Sequence, residues 1–292
     1  MHSHHPISHH SLFRLCALAL TLQTGCDDPV EAGDDPGDGA AADAAAEDEA
    51  AEPAFRAGNP CRILALGDSI THGINSNALQ AADPFNTYGG GYRAHLVASY
   101  FFNPSTAVGP ILMVGRVNWN ANPALLAMHQ EYHSGYSGVT AGGLANQVSY
   151  SDPLDPNNPL YNIADFDPDI ILLHIGTNNM FQSPYPQSSF ALVELNSLLS
   201  ALDAKAPDAT ILLAKILPLV GASAPLNPQV DLYNASLDSI ALTRRNLGQD
   251  VWTVDQNSYF PTYTLEDGIH PNWYGYEHMA ARWRLAMEGV GC

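Results

Sequence analysis

Five short apolar runs set the limits on what this chain can fold into: residues 63–66, 111–114, 170–175, 210–216 and 251–254. Each has the length of a strand and is nearly continuously apolar, as strands buried on both faces are. Stretches with helical patterning lie between and after them, at residues 91–100, 144–149, 188–204, 229–246 and 273–287. That alternation predicts an α/β domain with a parallel sheet covered by helices on both faces. Two segments are expected to be loops, the insert at 117–136 and the Pro/Asn/Asp-rich stretch at 151–168. Asp152, Asp155, Asp165 and Asp167 in the second are of a type that binds calcium,. A solvated, turn-rich loop accounts for them better, and no metal or cofactor is expected.

The region before the first run reads as processing and spacing. Residues 12–22 are apolar with one Arg near the start, too short to span a bilayer and suited to the core of a signal peptide,. Leu22-Gln23-Thr24-Gly25-Cys26 resembles a bacterial lipobox with Gln23 where an aliphatic residue is usual, so Cys26 is the candidate for lipidation. The alternative is plain cleavage and release. The histidine run at 2–10 precedes the cleavage point and is read as part of the leader. Residues 27–52 carry eleven acidic side chains and no basic one. The whole of 27–57 is too poor in large apolar groups to offset the entropy of ordering, which predicts an extended tether. Residues 58–292 are left as the folded domain. Its remaining cysteines are Cys61 and Cys292, near the two ends of that domain. In an oxidising compartment they are expected to pair, contributing at most roughly 4–5 kcal/mol on the chain-entropy model. Two reactive thiols in the unreduced mature protein would reject that bond.

Charge narrows the partners. Against 30 Asp+Glu stand 11 Lys+Arg, so nucleic acid and anionic surfaces are poor partners and a neutral substrate is better suited,. A membrane is expected to be met only through the lipid on Cys26, and the protein is expected to be a monomer.

In open parallel sheets, sites form at the carboxyl ends of the strands. Gly67-Asp68-Ser69-Ile70-Thr71 follows the first run and lifts a serine onto a strand end where a helix begins. Gly176-Thr177-Asn178-Asn179 follows the third, and Asp267-Gly268-Ile269-His270-Pro271-Asn272 comes after the fifth. Ser134-Gly135-Tyr136-Ser137-Gly138 lies between the second and third. A serine hydroxyl becomes a nucleophile when a base takes its proton. His270 suits that role, and Asp267, three residues earlier, is placed to hold its ring. Donors for an oxyanion would be the backbone N–H groups of Ser69 and Gly138 and the side-chain amide of Asn178. Taken singly, Gly138 also reads as turn punctuation, Asn178 and Asp267 as helix caps, and His270 as a surface histidine. His174, inside an apolar run, reads as a packed core residue.

Taken in order, Gly67-Asp68-Ser69, Ser137-Gly138, Gly176-Thr177-Asn178 and Asp267-x-x-His270 resemble the four blocks of the SGNH (GDSL) hydrolases. The resemblance implies a three-layer, flavodoxin-like α/β/α sandwich with a five-stranded parallel sheet. It implies Ser69 as nucleophile, Asp267 and His270 as its partners, and Gly138 and Asn178 as oxyanion donors beside Ser69. More narrowly, the chain resembles the acetylxylan esterases of carbohydrate esterase family 3. That likeness rests on Gly89-Gly90-Gly91-Tyr92-Arg93, Met113-Val114-Gly115, His133-Ser134-Gly135-Tyr136-Ser137-Gly138, the stretch from Asp267 to Tyr276, and Met279-Ala280. Two positions depart from the pattern. Asn179 stands where Asp is usual, which is expected to remove a loop-ordering charge, and Ser134 stands where Glu is usual.

The implied function is an exported or surface-anchored serine esterase removing O-acetyl groups from a polysaccharide such as acetylxylan. Tyr136, Trp273 and Asn179 are the candidate substrate contacts. One alternative keeps the chemistry and changes the substrate to a lipid, aryl ester or thioester. Another, of a different class, is a non-catalytic carbohydrate-binding protein on a retired hydrolase fold.

Overall fold

The computed structural model describes residues 60–74, 89–104, 109–149, 163–182 and 187–291. The expected leader, Cys26, the tether, Asp152, Asp155 and Cys292 lie outside the described residues. Cys61 lies within them, buried at the start of the first strand and disulfide-bonded.

Five parallel strands occupy the positions of the five apolar runs. They are β1 (Cys61–Gly67), β2 (Ile111–Val114), β4 (Ile170–His174), β5 (Thr210–Lys215) and β6 (Val251–Asp255), in the order β2-β1-β4-β5-β6. Helices α1 (Ser69–His72), α2 (Tyr92–Phe102), α3 (Pro123–Ala127), α4 (Ala141–Ser149), α5 (Gln187–Lys205), α6 (Asn227–Asn246) and α7 (Trp273–Gly289) complete the fold.

Alternation along the strands sorts the side chains into two cores. Leu64, Leu66, Ile171 and Leu173 face α4, α5 and α6. Ile63, Ala65, Ile170 and Leu172 face α2 and α7. The aliphatic members of these sets are fully or almost fully buried. Each leucine and isoleucine among them contributes roughly 1.5–3 kcal/mol over an exposed position. The middle of the sheet, and with it the strand end that carries Ser69, is therefore held firmly.

The expectation of five strands needs one addition. The insert at 117–136 is not a bare loop: it contains α3 and a two-residue strand, β3 (Ser134–Gly135), paired in parallel with Leu66 and Gly67. β2 accompanies β1 only from Cys61 to Leu64, and β3 takes its place at the carboxyl end. The excursion between them is closed at its neck by Val117 and His133, which exchange backbone bonds of 2.9 and 2.8 Å. The sequence contains too short an apolar signal at Ser134-Gly135 to mark a strand. The pairing comes from the backbone of β1, which would otherwise leave its last residues unbonded on that side.

From β1 the chain passes to β2 on one side and later to β4 on the other. The switch point therefore lies between the carboxyl ends of β1 and β4, where a crevice forms,. Gly67 is paired with His174 across it. A Cβ at Gly67 would run into the His174 carbonyl and the Thr71 hydroxyl, so glycine is what lets the two strand ends and the following helix close up,.

Candidate active site

Ser69 is the first residue of α1, a single turn. Asp68 caps that turn: its Oδ1 accepts from the Ile70 N–H at 3.0 Å. The Ser69 N–H has no partner within the helix, as for any first-turn amide, and is left for a ligand. With only four residues, α1 supplies this amide rather than a sizeable macrodipole,. Asp68 itself is wholly buried. Burial pushes its carboxyl up to about 7, against the pull of backbone N–H groups and the nearby Thr177 hydroxyl,. The contact with Thr177 falls short of a hydrogen bond of ordinary geometry.

His270 Nε2 lies 2.7 Å from Ser69 Oγ across 201 residues of sequence. Its Nδ1 lies 2.7 Å from Asp267 Oδ2. A carboxylate only accepts, so the neutral ring carries its proton on Nδ1 and presents the Nε2 lone pair to the serine hydroxyl. Asp267 is fixed in turn by its Oδ1, which accepts from the N–H groups of Ile269 at 3.0 Å and His270 at 2.7 Å. Burial raises the Asp267 carboxyl, but the His270 backbone N–H, the His270 ring and the Ile269 N–H outweigh it and hold the group below its usual value. The turn is anchored further by α7, whose cap Asn272 accepts from Tyr274 and Gly275.

The opposite wall is the turn after β3. Tyr136 N–H donates to the Gly67 carbonyl at 2.9 Å, and Ser137 Oγ is 3.0 Å from His72 Nδ1 on α1. Gly138 has φ of 78°, and the space a Cβ would take is open. Its backbone conformation, not crowding, is what demands glycine there. Asn178 opens a 3-10 turn after β4, and its Nδ2 donates to the Val139 carbonyl at 2.9 Å. One amide hydrogen thereby ties the Asn178 loop to the Gly138 loop, and the amide carries a second. Buried Arg93 braces the base of this wall, donating to the carbonyls of Glu131 and His72. Burial, and then the Arg93 charge, lower the pKa of His72 and His133. Gly135 N–H donates to His133 Nδ1, so the His133 proton sits on Nε2 and is given to the Trp119 carbonyl.

The candidate substrate contacts fare differently. Asn179 is 2 % exposed, and both ends of its amide are bonded inside the protein, so it faces no substrate. Tyr136 packs against the core below α4. Trp273 is half-buried with its ring centroid 3.9 Å from that of His95, a contact between α2 and α7. The aromatic exposed beside the site is one that sequence reasoning passed over. Trp119 is 62 % exposed and lies against His72, with ring centroids 6.3 Å apart. His72 and Ser69, three apart on one turn, share a face. Asn120 holds the Trp119 backbone in place by donating to the carbonyls of His72 and Gly73. His174 is fully buried, as expected, with its pKa lowered to about 4 by burial. Among the described residues no group of three or more His, Cys, Asp or Glu is placed to hold a metal ion.

A serine, an imidazole and a carboxylate joined at the switch point of a buried parallel sheet form an arrangement suited to acyl transfer,. The comparisons agree. Residues 65–278 match the GDSL-like lipase/acylhydrolase family, and the chain belongs to it. It is thus an enzyme of an esterase/acylhydrolase family. A multidomain esterase of Ruminococcus flavefaciens is 30 % identical over 242 residues, covering 78 % of this chain but 28 % of the relative. The chain therefore spans less than a third of the length of that relative. Similar folds include a family 3 carbohydrate esterase of Clostridium thermocellum, with a TM-score of 0.56, 22 % identity, and coverage of 80 % of this chain and 100 % of that one. A carbohydrate esterase family 3 protein of Talaromyces cellulolyticus has a TM-score of 0.56 and 18 % identity, covering 79 % and 97 %.

Proposed function

We propose that the protein is an exported serine esterase that removes acetyl groups from a polysaccharide such as acetylxylan. The observation that carries the chemistry is the pair of 2.7 Å contacts joining Ser69, His270 and Asp267. Ser69 Oγ attacks the ester carbonyl as its proton passes to His270 Nε2. The negative oxygen of the tetrahedral intermediate accepts from the Ser69 and Gly138 N–H groups and the Asn178 amide. Collapse breaks the bond to the sugar oxygen, and His270 returns the proton to that oxygen, leaving acetyl-Ser69. Water then attacks, His270 takes its proton, and acetate leaves as the serine regains its hydrogen.

A sugar substrate is supported by two things. Trp119 offers a fixed, exposed aromatic face beside the nucleophile helix, and aromatic faces with a polar rim suit pyranose rings. The likeness to family 3 carbohydrate esterases points the same way. Export and an anchor at Cys26 rest on the pattern of residues 12–26. The mass of the mature amino-terminal fragment from the source cell tests them, since an unmodified, uncleaved leader would exclude both. The test of the function is Ser69→Ala assayed on acetylated xylan and on 4-nitrophenyl acetate. Loss of both activities is expected. Wild-type turnover by the variant would end the mechanism, and a wild type that prefers long acyl chains to acetate would replace the substrate.

A further inference from the structure

Position 179 lies beside the proposed oxyanion donor Asn178, and its side chain is bonded at both ends. Asn179 is buried, and its Oδ1 accepts from the Ala141 N–H, at the start of α4, at 3.0 Å. An amide cannot carry charge, yet it brings a donor that a carboxylate lacks. That donor is used: Asn179 Nδ2 gives its hydrogen to Glu194 Oε2 at 2.6 Å. The same Oε2 accepts from the Gly142 N–H at 2.9 Å. Glu194 belongs to α5, and its carboxyl end fills the space above Gly142, where even a Cβ would meet it at 2.5 Å. Two successive amides at the start of α4, Ala141 and Gly142, are thus taken by Asn179 and Glu194. Asn178 meanwhile holds the Val139 carbonyl on the approach to that helix.

We propose that Asn179 and Glu194 work as one unit that positions the oxyanion donors, with Glu194 supplying the negative charge that position 179 lacks. Glu194 is a positioning residue: it touches no substrate and acts through Asn179 and the amino end of α4 on Asn178 and Gly138. The carboxylate of Glu194 stands one hydrogen bond outward from the turn after β4, on the helix packed beside it. This inference rests on the reading of the site as a serine esterase.

The arrangement makes an asymmetric prediction. Restoring an acid at position 179 is harmful while Glu194 remains, because two carboxylates then face each other across the 2.6 Å contact and have to share a proton,. It is less harmful once residue 194 can donate, although the amide nitrogen then stands where an oxygen serves the Gly142 N–H,. The experiment compares wild type, Asn179→Asp, Glu194→Gln and the double variant on 4-nitrophenyl acetate between pH 5.5 and 9, with thermal midpoints taken at the same pH values. Asn179→Asp is expected to lose about 10- to 100-fold in kcat at pH 8, the scale of a small misplacement of catalytic groups, with KM little changed. Relative to wild type it recovers as pH falls and a proton bridges the pair. Glu194→Gln keeps the hydrogen bonds and loses a few-fold. The double variant recovers several-fold over Asn179→Asp without reaching wild type, because the new amide at position 194 donates to the new carboxylate at position 179 but no longer accepts from the Gly142 N–H through the same atom.

Wild-type kcat and pH profile in Asn179→Asp would overturn the proposal, as would a double variant no better than Asn179→Asp. A role confined to packing would lower the midpoints and leave kcat per folded molecule and its pH profile unmoved, which also overturns it. Should the wild type show no esterase activity, the functional reading falls by itself. The coupling of 179 with 194 is then decided by the midpoints: additive losses that do not vary with pH reject it.

Discussion

The two walls of the site are built on opposite plans. The wall with the base is local: Asp267, Ile269 and His270 fold one short turn around a single carboxylate, and the Asp267 side chain is 42 % exposed. The wall with the oxyanion donors is assembled from afar. Gly138, the pair Asn178-Asn179 and Glu194 come from three separate parts of the chain and meet around the start of α4, with Asn179 out of contact with water. A local turn keeps its geometry through its own backbone bonds, while solvent screens its charge. A dry, long-range network has neither protection, so each of its polar groups requires a partner. Damage to the first wall should therefore be chemical and damage to the second geometric.

Asp267→Asn is the sharpest way to break that comparison and carries the largest expected loss. Asp267 Oδ1 already serves two backbone N–H groups, so the new amide keeps its oxygen there and turns its NH2 toward His270 Nδ1. That nitrogen then has to accept, which moves the ring proton to Nε2, where it blocks proton transfer from Ser69. The fold survives, and kcat on 4-nitrophenyl acetate falls by about 10³- to 10⁴-fold, the cost of a wrong tautomer in a related triad. A variant retaining more than about a tenth of wild-type kcat would show that the carboxylate does not fix the ring.

On the other wall, Asn178→Ala removes one oxyanion donor together with the clasp on Val139. The expected loss in kcat is about 10²- to 10³-fold with KM nearly constant, because the donor acts on charge that exists only in the transition state. Steady-state kinetics on the same small ester provide the check. A rise in KM at unchanged kcat would move Asn178 from charge stabilisation to ground-state binding.

This division also explains what could be read from the chain. The five strands were visible because each is a run of apolar residues that the sheet buries on both faces, and Asp267 and His270 because their spacing suits a single turn. Ser69 was marked by the break from an apolar run into Gly-Asp-Ser, which alone reads as an ordinary turn, taken together with the later blocks. The oxyanion wall was legible at Gly138 and Asn178 through the family blocks, and illegible behind them. Glu194 is one polar residue on a long helix, and nothing local separates it from Asp203 or Asn196. Asn179 offered a hint, as a residue with a charge missing, but the hint gives no direction in space. β3 was missed because two residues carry no pattern, and Trp119 because an isolated aromatic in an insert has no period to join. The aromatic residues preferred on sequence, Tyr136 and Trp273, lie next to motif residues, but one packs on the core and the other against His95.

Trp119 carries the smallest expected effect and sharpens the comparison at its outer edge. It belongs to neither wall: its carbonyl is held by His133 and its neighbour Asn120 is tied to α1, yet its ring stands out in solvent. A side chain so largely exposed gains little for the fold, so its loss should be felt in substrate choice. In Trp119→Ala the ratio of kcat/KM on acetylated xylo-oligosaccharides to kcat/KM on 4-nitrophenyl acetate is expected to fall by about 5- to 10-fold, the scale of one aromatic stacking contact. The comparison of the two substrates in one preparation removes any error in active-enzyme concentration. An unchanged ratio would remove Trp119 from the sugar path, and a fall on long-chain acyl esters instead would assign its face to an acyl chain.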